Sequence, residues 1–180
     1  MKSALARSRR CAADERGSSS VEFALLMPTL MMLFYASFEA TMFQVRQTML
    51  DRGVDMAVRE LRLSAGTPFS SATIRRDICA RARILPDCTL SLIIEMTAID
   101  GDHYALPADS APCAESGSSG VTAPPLPGAA LDQELMLLRA CYAVDPVMPT
   151  STLGLALTES GGRIHIHSAS AFVVEPVLGR

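Results

Sequence analysis

Apolar residues are concentrated near the N-terminus. From Val21 to Phe43 the sequence VEFALLMPTLMMLFYASFEATMF is apolar except for Glu22, Glu39 and a few small polar groups, and the 16 residues from Phe23 to Phe38 carry no charge. A membrane-crossing helix needs about 20 residues, so Thr41 to Phe43 are expected in or near the bilayer and the span is read as residues 21–43. Pro28 lacks the N–H that a helix interior uses, which predicts a kink there. Helical spacing continues past the span. Phe43, Leu50, Val54, Ala57, Val58 and Leu61 recur three, four or seven positions apart, with Gln44, Arg46, Gln47, Asp51, Arg52, Asp55, Arg59 and Arg62 between them. One helix from about Ser20 to Leu63, ~65 Å long, is expected, with Gly53 a modest interruption and Gly66 and Pro68 as its stop.

The rest of the chain reads as shorter elements. Ser71 to Ile84 is expected as an amphipathic helix with Ile74, Ile78, Ala82 and Leu85 on one face, and its arginines as a solvated face. Thr89 to Ile99, Glu134 to Val147 and Arg163 to Val174 read as strands, the last alternating and preceded by a turn at Gly161 and Gly162. Residues 107–130 hold five of the eleven prolines and three of the eleven glycines, an irregular loop. The expected fold class is α+β: a long N-terminal membrane-spanning helix followed by a small antiparallel β-sheet domain over residues 64–180. There is no internal repeat.

Composition agrees with an ordered chain, since 49% of the 180 residues are hydrophobic and the mean hydropathy is +0.25. Charge is divided unevenly. Residues 1–17 contain Lys2, Arg7, Arg9, Arg10 and Arg16 against Asp14 and Glu15, a net of +3, so the remainder carries −6 of the total −3. A basic front on an acidic body argues against nucleic-acid binding. The positive-inside bias places residues 1–17 in the cytoplasm and everything after Phe43 on the exported side.

At the junction, RGSSSVEF, Gly17 precedes Ser18, Glu22 is the fifth residue after the glycine, and Phe23 opens the apolar run. This resembles the processing site of type IV prepilins. The resemblance implies that a prepilin peptidase cuts after Gly17, removing 17 residues and leaving 163 that start at Ser18. It also implies that Glu22, followed by Phe23, pairs with a freed α-amine to register subunits. The residues alone also allow Glu22 to close a capping box with Ser19, and the basic and apolar segments alone allow a plain signal anchor.

The front GSSSVEFALLMP, the acid-and-arginine helix to Leu63, a cysteine pair and the ending AFVVEPV together resemble the TadE-like proteins. These are minor pseudopilins of tight-adherence (Tad/Flp) pili, the machinery of adhesion and biofilm formation. The implied partners are the prepilin peptidase, other pilins and pseudopilins, and an inner-membrane assembly platform. The implied location is the bacterial inner membrane with a periplasmic C-terminal domain. The chain is longer than a major Flp pilin, and it lacks the DxSxS motif of a von Willebrand type A domain.

Cys11 falls in the leader, and Cys79, Cys88, Cys113 and Cys141 remain. In an oxidising compartment four cysteines read as two disulfides with three possible pairings. Cys79 with Cys88 and Cys113 with Cys141 is the pairing expected here; a zinc site would ordinarily bring a C-x-x-C pair, which is absent. His165 and His167 share a strand face, and His103 with Asp100 and Asp102 could join them around a metal. The bland expectation is that they are surface residues. No nucleophile elbow, phosphate loop or His-Glu-x-x-His motif occurs, so neither catalysis nor a cofactor is expected. The alternative to a pilus subunit is a single-pass anchored periplasmic domain that binds metal through its strand histidines.

Overall fold

A computed structural model describes residues 18–63, 70–99, 113, 135–159 and 161–173. The leader with Gly17, the helix stop at Gly66 and Pro68, most of the loop at 107–130, and Asp100, Asp102 and His103 lie outside the described residues. Helix α1, Ser18–Leu63, is continuous for 46 residues and carries Pro28 in its interior. At 1.5 Å per residue it is about 69 Å long. Its two halves have opposite surroundings. Val21, Phe23, Leu25, Leu26, Leu33 and Phe34 are all at least 60% exposed, whereas Leu50, Val54, Ala57, Val58 and Leu61 are buried.

The buried half carries the domain. Helix α2, Ser71–Arg81, packs across α1 through Ile74 and Ile78. Gly53 is what allows the approach. A Cβ there would lie 3.1 Å from both the side chain and the carbonyl oxygen of Ile78. The glycine that costs helix propensity is therefore the contact point of two helices.

Helix α2 stops three residues short of the expected Ile84, where Ala82 leaves helical geometry and a turn from Ala82 to Leu85 takes over. Ala82 and Leu85 still reach the core. The strand expected from Thr89 instead begins at Leu92. Asp87, in the left-handed region at φ 48°, starts the single-turn helix α3, Cys88–Ser91, by accepting the N–H groups of Leu90 and Ser91.

Strands β1 (Leu92–Ile99), β2 (Leu135–Val144) and β3 (Ile164–Val173) form an antiparallel sheet in the order β1-β2-β3. The fold class is α+β. Leu92, Tyr142 and Ile166 are matched across the three strands, as are Ala98, Met136 and Phe172, and these rows pack with the α1 stripe in one core. The opposite face carries Glu95 paired with Arg139 at 2.5 Å, and Cys141 beside His167. β2 ends at Val144, before Pro146, and is followed by helix α4, Thr152–Leu157, which the sequence pattern did not announce. Gly161 and Gly162, at φ 89° and 74°, make the turn into β3.

Candidate functional site

The N-terminal end of α1 carries Glu22 and Phe23 on an exposed stretch of helix. The helix opens at Ser18, and Glu22 follows four positions later, about one turn along the axis. Phe23 is 62% exposed and begins a surface of Leu, Met and Phe side chains reaching Phe38. No residue of that apolar stretch is buried by the other described residues, and the helix is long and apolar enough to cross a membrane. Apolar area of this extent on a folded protein marks a lipid or protein contact.

The second glutamate of the run has the opposite surroundings. Glu39 is 1% exposed, and its carboxylate oxygens accept the backbone N–H groups of Val147 at 3.1 Å and Met148 at 2.7 Å. Two turns further, the buried Arg46 donates through Nη1 to the carbonyl oxygen of Asp145 at 3.2 Å, and Gln47 donates to the carbonyl oxygen of His167 at 2.9 Å. Arg163, immediately before β3, donates to the carbonyl oxygen of Ala143 and pairs with Asp145 at 3.3 Å. The segment after β2 is thus held on α1 by Glu39 and Arg46, and Arg163 braces it from the start of β3. Glu39, Phe43, Arg46 and Leu50 recur at four, three and four positions, so this polar pair continues the buried stripe toward the apolar half. That register was the available signal.

Nearby, the Tyr142 hydroxyl donates to the carbonyl oxygen of Pro86 at 2.7 Å. Burial disfavours the phenolate and pushes its pKa up to about 12. It therefore remains a neutral donor at physiological pH.

Disulfides join Cys79 to Cys88 and Cys113 to Cys141. The first ties α2 to α3; the second anchors residue 113, within the loop expected at 107–130, on the outer face of β2. His165 lies 2.8 Å from Glu159 through Nδ1. His167 sits 3.8 Å from the Cys113 sulfur, and its ring nitrogen and the sulfurs of Cys113 and Cys141 lie within 4.8 Å of one another. Both sulfurs are bonded to each other, which removes the thiolates a metal would require. His165 and His167 have separate partners, and Asp100, Asp102 and His103 lie outside the described residues.

Residues 17–59 match the family model described as TadE-like protein. This segment is TadE-like. The match starts at Gly17 and runs along α1 to Arg59, so it covers both the exposed apolar half and most of the stripe beneath the domain. The matched segment includes the apolar half of α1, which has the length and composition of a membrane anchor. Comparison with curated proteins and with solved structures gives no significant match.

Proposed function

We propose that this protein is a minor pilin or pseudopilin that takes part in Tad (Flp) pilus assembly through helix packing and subunit contacts. Residues 1–17 form a basic cytoplasmic leader, residues 21–43 span the inner membrane, and residues 64–180 form a periplasmic domain. A prepilin peptidase cleaves between Gly17 and Ser18. The observation that carries this reading is the uncovered apolar half of α1, which begins directly after the Gly17, Glu22 and Phe23 motif and inside the TadE-like match.

The chemistry of registration follows from the cost of the carboxylate. A charge inside a membrane helix costs roughly 2.5–3.5 kcal/mol at the centre and less toward the interface, so Glu22 gains from a cation. Cleavage supplies one as the Ser18 α-amine, one helical turn away in the same subunit or within reach from a neighbour. The exposed side chains from Phe23 to Phe38 then pack against other pilins and pseudopilins or the inner-membrane platform.

Intact mass of the protein co-expressed with a cognate prepilin peptidase tests the reading. Loss of residues 1–17 is expected, abolished by Gly17→Ala. An uncut chain, or a cut after the apolar run, would overturn it.

A further inference from the structure

The domain reaches further down α1 than a 21–43 span leaves room for. Met32 and Tyr35, inside the charge-free stretch of the helix, share a cavity of about 350 Å³ with Met148, Thr150, Ser151 and Thr152. Met32 is seven residues below Glu39, or about 10 Å along the axis at the α-helical rise. From Phe23 to Phe38 the charge-free helix covers only about 24 Å of the ~30 Å that a bilayer's hydrocarbon requires. Any bilayer wide enough to hold this helix therefore also meets the segment opposite Met32.

That segment is built for such a place. From Pro146 to Thr158 the sequence PVMPTSTLGLALT contains no charged residue, between Asp145 and Glu159. Leu155 is 63% exposed. The backbone is folded back on itself: Ser151 caps α4 by accepting the Gly154 N–H at 2.9 Å, and a Cβ on Gly154 would collide with the Met148 carbonyl oxygen. The carboxylate of Glu39 is turned inward onto the Val147 and Met148 N–H groups. Its charge is thereby kept from lipid, and two backbone donors that hydrocarbon could not satisfy are satisfied.

We propose that residues 146–158 form a foot that enters the bilayer beside the helix, on the leaflet facing the domain, with acyl chains filling the cavity between Met32, Tyr35 and Thr150. With the headgroup boundary at the level of Glu39, the first charged side chain above Phe38, the depth of about 10 Å is that of an interfacial helix seated at the boundary of headgroups and acyl chains. The proposal rests on α1 being a membrane span.

The chain contains no Trp, so an introduced one is a single reporter. The full chain is reconstituted in phosphatidylethanolamine and phosphatidylglycerol vesicles containing phosphatidylcholine brominated near the headgroup end of its acyl chains. Thr150→Trp is expected to emit to the blue and to lose most of its emission to the bromines. Phe34→Trp, on the exposed helix, is expected to be quenched, most strongly by bromines placed deeper. Leu63→Trp, at the far end of α1, is expected to keep its emission. Quenching at Phe34 without quenching at Thr150 overturns the foot and leaves the span standing. An unquenched Phe34→Trp overturns both. Equal quenching at Leu63 and Thr150 would mean that the whole domain lies on the membrane, which also overturns the foot.

Discussion

Glu39 shows how one side chain changes meaning with its surroundings. In an apolar run a carboxylate looks like an exception tolerated near the end of a membrane helix. In the folded chain it is the acceptor for two backbone donors that are 108 and 109 positions away. No local pattern could supply those partners; only its register with Phe43, Arg46 and Leu50 pointed inward. A donor left without its acceptor in a buried site costs about 1–3 kcal/mol. Glu39→Ala orphans two, partly relieved by water, so a loss of about 2 kcal/mol is expected in denaturant unfolding of the detergent-solubilised protein. Glu39→Gln retains one acceptor oxygen and should lose less. Equal stability of the alanine variant and the parent would show that the 145–148 segment is held without it.

At the level of elements, long periodic segments were the legible ones. The helix to Leu63, the buried face of α2 and the alternation of β3 all follow from spacing, because each element presents enough residues for one period to dominate. The short helices α3 and α4, of four and six residues, are too brief for any period to show. They arise from backbone events instead: Asp87 in the left-handed region, and the Ser151 cap with Gly154 pressed against Met148. Gly53 is similar, since its value lies in what crosses over it. Gly53→Val would drive a branched side chain into Ile78, where the available gap is 3.1 Å. Overpacking of this kind costs about 1–3 kcal/mol, more than the improved helix propensity returns. A higher unfolding midpoint for the valine variant would contradict the close packing of α1 and α2.

For the molecule as a whole, cross-links and clamps make the domain and the upper half of α1 one unit. The two disulfides close loops of different size, with separations of 9 and 28 residues. On the chain-entropy model these correspond to about 2.6 and about 3.6 kcal/mol. Paired serine substitutions at Cys79 and Cys88 should therefore cost somewhat less than the same change at Cys113 and Cys141, read as differences in denaturation midpoint. A reversed order would mean that native contacts rather than loop closure set the values. The charge division was visible in the sequence, because it is written in consecutive residues. How far down the helix the domain sits was not, because it depends on where residues 145–157 return.

The attachment at Glu39, Arg46 and Gln47 also has a mechanical side. The three side chains are spread along nine residues of α1, about 12 Å of its axis, and their contacts end on the 145–148 segment and on β3. A pull along the helix axis loads them together, in shear, instead of opening them one after another. If the helix is drawn from the bilayer during assembly, the domain moves with it as cargo on a rigid shaft.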